Sequence, residues 1–276
     1  MGYLIGILIL TLVVVVHEYG HYVAMRRNGI KVVEFSVGMF GPPIFSRTLK
    51  SGTVFMVRPG LIGGYAKPIE DGPGSMKEAT HWVQFKVYMA GMLFNCIAAF
   101  LTLTVLTYVT GKMPVVLHPF VTWAPTWLIP IVVGVLGSFV MWLATPPLVV
   151  YLLVTSFSTF AEGVAGPIGI VHMGGNLIHQ GAAPGLAPTL GDIVVNYAFF
   201  FYMLNVAIAG CNLLPIPPLD GGFFPVMLIE KIFGKRSARA LSVIKLLGLA
   251  FIIGLFVLCF YADIARILAG KVLGQQ

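Results

Sequence analysis

Long apolar stretches alternate with short polar ones along nearly the whole chain. Apolar helical segments fall at roughly 3–25, 83–110, 128–145, 147–160, 193–213 and 241–262. A helix needs about 20 residues to cross the hydrocarbon core, so the fourth is short. Pro146 and Pro147 separate it from the third. Proline lacks the helix donor, so this pair predicts a tight helical hairpin or a re-entrant pair. The pattern changes over 31–66, where Val32, Val33, Phe35, Val37 and Thr53 to Val57 are β-branched, aromatic or otherwise apolar. Gly38, Gly41, Pro42, Pro43, Ser51 and Gly52 punctuate them, which predicts a small β-structure with a hairpin around Lys50 to Gly52. The fold class is therefore a polytopic α-helical membrane protein of about six transmembrane segments. Four segments plus a re-entrant hairpin is the alternative, and either carries a small membrane-associated β-region after the first helix.

Composition sharpens this picture. The 276 residues are 58% hydrophobic and 10% charged, with a mean hydropathy of +0.94. Soluble domains carry about 25% charged residues, so a water-soluble globule is excluded and one membrane bundle is expected. Nine of the 17 Lys and Arg fall between Arg26 and Lys86 and five between Lys231 and Lys245, with none between Lys112 and Lys231. Basic loops that alternate with bare ones follow the positive-inside rule. The loop after the first helix and the segment 215–240 should face the cytoplasm, while 111–127 and 161–192 face the other side. That requires an even number of crossings between 128 and 160. The net charge of +7 thus reports topology, not nucleic-acid binding. Cys96, Cys211 and Cys259 have no CxxC spacing, which argues against a disulfide framework or a thiolate metal site. The first apolar run has no basic leader and continues into His17, so it is expected to be a retained helix, not a signal peptide.

The strongest chemical signal is His17-Glu18-Tyr19-Gly20-His21. Residues four apart share a helix face, so both imidazoles can reach one metal, with Glu18 beside them as a base for water. Polar groups of this kind inside an apolar span are functional by default. A catalytic zinc takes three protein ligands and keeps one open position. Among ten acidic residues, Asp220 stands out as the third ligand, in Asn212-Leu213-Leu214-Pro215-Ile216-Pro217-Pro218-Leu219-Asp220-Gly221-Gly222. The prolines cannot continue a helix, which predicts an extended, stiff segment; a simple helix-capping aspartate is the alternative. The first helix and 193–213 should run in the same direction, placing all three ligands at one depth toward the cytoplasm. A metal-ion transporter would spread polar residues along a path. A non-catalytic helix-binding adaptor would have no use for Glu18.

HExxH in the first span, the NxxPxPxLDG run at 212–221, and Gly91-Met92-Leu93-Phe94-Asn95 between them resemble the site-2 protease family. Phe35 to Lys67, with Gly63-Gly64-Tyr65-Ala66-Lys67, resembles the β-region of its bacterial, anti-sigma-factor-cleaving branch, and Ala165 to Gly169 resembles that branch's GPI stretch. The match covers most of 1–110 and 160–262. The resemblance implies an intramembrane zinc metalloprotease in which His17, His21 and Asp220 bind Zn2+ and Glu18 activates water. It assigns Asn212 and Asn95 to the substrate side, Asn212 at the substrate backbone and Asn95 through core-helix packing. One protease domain over 1–276 is expected, with the 31–66 β-region and the helix and ligand segment 193–222; an extra membrane-embedded insertion at 119–160 and the expected lack of PDZ and CBS domains depart from many bacterial relatives. The substrates implied are single-span membrane proteins, such as anti-sigma factors or signal-peptide remnants, in the bacterial inner membrane. The strand edge that would open a substrate helix is expected near Val54 and Phe55.

Overall fold

The computed structural model describes residues 1–60, 63–111, 128–155, 166–180, 187–234 and 238–268. In chain order these form α1 (Gly2–Arg27), β1 (Val32–Val37), β2 (Phe45–Thr48), β3 (Val54–Val57), β4 (Gly64–Pro68), α2 (His81–Thr110), α3 (Ile129–Thr155), α4 (Pro167–Asn176), α5 (Leu190–Asn212), α6 (Phe223–Phe233) and α7 (Ala238–Leu268). Five helical stretches are long and apolar enough to cross a membrane: Gly2–Arg27, His81–Thr110, Ile129–Leu148, Leu190–Asn212 and Ala240–Leu268. Their ends follow local chemistry. Thr80 caps α2 by accepting from the Val83 amide, and Gly111 closes it at φ +66, a conformation glycine adopts without steric cost. Thr189 and Asp192 form a capping box at the start of α5.

The β-region is a four-stranded sheet in the order β2-β3-β1-β4. β2 and β3 make the hairpin expected around Lys50 to Gly52, with the Leu49 amide donating to the Thr53 carbonyl at 2.9 Å and Gly52 at φ +83. The expected strand edge at Val54 and Phe55 is corrected. β3 is bonded on both sides, antiparallel to β2 and parallel to β1, so its ladder groups are already used. The edge on the bundle side is β4, which pairs with β1 through Phe35↔Ala66 and lies against α1.

A second correction concerns Pro146 and Pro147. They lie inside α3, one continuous helix, in place of the two segments expected at 128–145 and 147–160. Apolar helices tolerate proline where neighbouring side chains and backbone satisfy the freed groups, and α3 is pinned around that point. The Trp142 indole donates to the Ala209 carbonyl at 3.3 Å, and Thr145 fills the space over Gly210. Residues 119–127 and 156–160 of the insertion, with Trp123 and Trp127, lie outside the described residues, as do His118, Glu162 and Ala165.

Relative directions follow from which residues meet. Val13 packs with Phe200 and Leu204, while His17 and His21 meet Asp220 beyond the end of α5, so α1 and α5 run the same way. α3 runs with them, because Val133 packs on Tyr202 and Val206 while Thr145 lies over Gly210. The return between α3 and α5 includes α4, a helix of 10 residues that the hydropathy pattern did not reveal. It crosses α1 closely: a Cβ on Gly6 would lie 3.2 Å from Gly174, and the Tyr197 hydroxyl donates to the Gly174 carbonyl at 2.9 Å.

The last helix, α7, is almost entirely exposed along its most apolar stretch. Near its start Gly248 packs on the Pro217 carbonyl. Farther along, Asp263 is fully buried and accepts from the Gly166 and Gly169 amides at 3.1 and 2.8 Å and from Arg266 at 3.1 Å. It thereby caps the first turn of α4 from another helix, where free amides and the helix dipole favour a carboxylate. Replacing Asp263 by alanine strands two buried amides and removes one partner of the Arg266 guanidinium. We expect it to cost about 3 kcal/mol, read as a lowered unfolding midpoint in detergent; an unchanged midpoint would remove this role.

Candidate metal centre

The centre is built from three directions. α1 supplies His17 and His21, one turn apart on one face. Their rings meet edge to face with centroids 4.7 Å apart. The third group arrives through the proline segment. After Asn212 the chain does not extend, as the prolines suggested, but folds through successive turns. Amides of Leu213, Leu214, Ile216 and Leu219 donate to carbonyls two or three residues back. The chain then enters a 3-10 turn, Asp220–Gly222, leading directly into α6. Gly221 and Gly222 make this compactness possible, since a Cβ on either would lie 2.4 Å from the Leu213 carbonyl oxygen or 2.1 Å from the Pro217 nitrogen. Leu219 is the N-cap of that turn and Asp220 its first residue, with its carboxylate facing the imidazoles.

Nε2 of His17 and of His21 lie 2.9 and 3.2 Å from Oδ2 of Asp220 and 3.1 Å from each other. The three side chains are 8, 12 and 13% exposed. His21 Nδ1 lies 2.7 Å from the Val87 carbonyl. A carbonyl only accepts, so Nδ1 carries the proton and the neutral ring presents a lone pair at Nε2. That lone pair faces a second imidazole nitrogen and a carboxylate oxygen, and one shared proton cannot satisfy all three contacts. A divalent cation can. Zinc bonds of 2.0–2.1 Å in a tetrahedron put ligand atoms about 3.3 Å apart, close to the separations here. The donor set of two imidazoles and one carboxylate is that of catalytic zinc sites, which leave a fourth position open. The residues present therefore fit this ion, and among the described residues theirs is the one cluster of His, Cys, Asp or Glu so converged.

Two supports were not foreseen from the sequence. Gly91 lies directly under the imidazoles, where a Cβ would be 2.5 Å from His21 Nε2 and 2.7 Å from His17 Nε2. Its only sequence signal was its place in the Gly91-to-Asn95 motif. The Ala66 amide, on the free edge of β4, donates to Glu18 Oε2 at 3.0 Å and fixes that carboxylate beside the ligands. Asn95, by contrast, is fully enclosed between helices, and its amide has no partner among the described residues. Such enclosure suits helix packing and leaves no surface for substrate. Asn212 ends α5 with its amide donating back to the Ile208 carbonyl at 3.0 Å.

A methyl group at position 91 would push on both ligand rings while leaving the helix intact. For Gly91→Ala we expect zinc affinity at least about tenfold weaker, measured by competition with a chromogenic chelator, with helix content by circular dichroism unchanged. Affinity equal to wild type would show that the ligands do not need this space.

The sequence profile of peptidase family M50 matches residues 5–255. Relatives named as zinc metalloproteases are similar over shorter stretches. One from Xylella fastidiosa is 36% identical over 111 residues, covering 37% of this chain and 24% of the relative. One from Thermotoga maritima is 38% identical over 105 residues, 34% and 21% of the two chains. One from Streptococcus pneumoniae is 43% identical over 67 residues, 24% and 16%. The chain thus spans a quarter or less of the length of these relatives. With the profile matched over most of its length, the chain belongs to peptidase family M50, the site-2 protease family that its motifs resemble.

Proposed function

We propose that this protein is an intramembrane zinc metalloprotease that hydrolyses peptide bonds in or near the transmembrane segment of single-span membrane proteins. One observation carries the reading: two imidazoles and a carboxylate converge within 3.2 Å of one another inside an apolar bundle, with a glutamate one residue from the first imidazole. Bound at His17, His21 and Asp220, zinc supplies a Lewis acid that polarises the scissile carbonyl and acidifies water. Glu18 takes the proton as water attacks the carbonyl carbon and later passes it to the leaving amine. The Ala66 amide keeps that carboxylate oriented between the two transfers. Asn212, at the end of α5, binds the substrate backbone in this reading, while buried Asn95 holds α2 in place.

Residues 1–276 act as one domain in this reading. α1, α2 and α5 form its catalytic core, 31–66 the β-region, 119–160 an insertion whose α3 packs on α2 and α5, and 193–222 the ligand-bearing segment. The protein is a multi-pass membrane protein. We place it in the bacterial inner membrane, with the basic ends of α1 and α6 and the metal centre toward the cytoplasm. The five long helices cross, and α4 completes the return from α3, which keeps α1 and α5 codirectional.

A helical peptide bond is already hydrogen-bonded, so the substrate must unwind. The edge of β4 beside Glu18 has no strand partner among the described residues, and its remaining ladder groups would pair with an extended segment. N-methylating alternate amides of a peptide substrate removes those bonds, and we expect one of the two alternations to raise KM at least about tenfold. Equal KM for both removes the strand-edge idea. For the reaction itself, Glu18→Gln should retain zinc at the wild-type ratio while cleavage of a single-span reporter in proteoliposomes falls about 10³-fold. Continued cleavage by that variant would overturn the mechanism.

A further inference from the structure

Beside the metal centre, between the start of α2, the 76–79 loop, α6 and the start of α7, lies a cavity of about 270 Å³. That is below the range of pockets for drug-sized ligands and suits one or two side chains. Tyr88 and Phe223 form one wall, their rings parallel within 4° and 4.3 Å apart. Buried Val226, with Met76 and Met227, completes the apolar part of a lining that Lys77, Gln84, Glu230 and Lys245 make polar elsewhere. Gln84 fastens the loop above by donating to the Met76 and Ala79 carbonyls at 3.0 and 3.2 Å. Two walls are therefore preformed, while the methionines can adapt to differently shaped occupants. Glu230 and Lys245 stand at the mouth without an ion pair among the described residues. Lys77 there is held by Asp71 at 2.6 Å.

The cavity shares its supports with the metal centre. Tyr88 follows Val87, whose carbonyl orients His21. Phe223 stands one 3-10 turn after Asp220. Two of its walls thus come from residues one and three positions from groups of the metal centre. Successive side chains of an extended peptide point to opposite sides, so only one of the two residues flanking a peptide bond at the metal could turn toward the cavity. The geometry points to a specificity subsite that takes a large apolar side chain, of the Leu, Phe or Met class, from the substrate residue next to the scissile bond. The inference rests on the peptidase reading above and adds what that reading lacks, a residue preference.

The test uses the zinc-loaded full chain in detergent with pairs of quenched fluorescent peptides, identical except for Phe or Ala on one side or the other of the scissile bond. We expect wild type to prefer Phe over Ala by at least about tenfold in kcat/KM on one side only. Met227→Trp fills the space and should lower that preference about tenfold, chiefly through the Phe peptide. Phe223→Ala enlarges it and should shift preference toward Trp. Zinc content should stay at the wild-type value in both. Should neither variant change the ratio while cleavage persists, or should wild type show no preference, the assignment is overturned. If wild type cleaves none of these peptides nor a membrane reporter, the peptidase reading itself fails, a result distinct from an unchanged ratio.

Discussion

Two imidazole nitrogens and a carboxylate oxygen, mutually 2.9–3.2 Å apart in an apolar bundle, bring three lone-pair donors to one point, which a divalent cation satisfies together. Much of the surrounding architecture exists to hold that arrangement. The Val87 carbonyl sets the His21 tautomer, so the nitrogen facing the others is a lone pair. Gly91 withholds a side chain where any carbon would strike the ligands. The proline-rich turn brings Asp220 back against α1. Each support acts on one atom of the cluster, and each comes from a different element.

Codirectional α1 and α5 are the larger condition. A ligand pair near the end of one helix and a third ligand just beyond the end of another meet only if both ends lie on the same side. The stretch between them therefore has to bring the chain back after α3. Short α4 is part of that return, and close glycine contacts fit it against α1. Its first turn is satisfied by Asp263, borrowed from α7. Inside lipid an unsatisfied amide costs several kcal/mol, so a helix that starts within the bundle needs such a donated cap.

In the proposed reading the sheet and the cavity would bring two kinds of recognition to this centre. The β4 edge offers backbone groups in register with Glu18, and such groups read no sequence. The cavity would offer aromatic and thioether surface to a side chain, with Glu230 and Lys245 also in its lining. Together they would let one site accept many segments while preferring some residues next to the cut.

How much of this was written in the chain can be judged residue by residue. Five long apolar stretches, the HExxH spacing and the lone aspartate in a proline-glycine run are local properties, because hydropathy and helix periodicity depend only on neighbours in sequence. The sheet's presence was likewise legible from its β-branched runs, and the Lys50–Gly52 turn from its glycine. Strand order was not, since pairing β1 with β3 and β4 is a contact between distant segments, and it moved the free edge from Val54 to β4. Pro146 and Pro147 read as a break because proline's local cost is real, yet α3 continues through them, with tertiary contacts at Trp142 and Thr145. The need of Gly91 for an absent side chain, the tautomer of His21 and the cap from Asp263 exist only once helices pack. Sequence alone determined which residues could serve a metal, through spacing on a single helix. Tertiary structure decided which atoms face one another, because lone pairs and amides are aimed by partners far away in the chain.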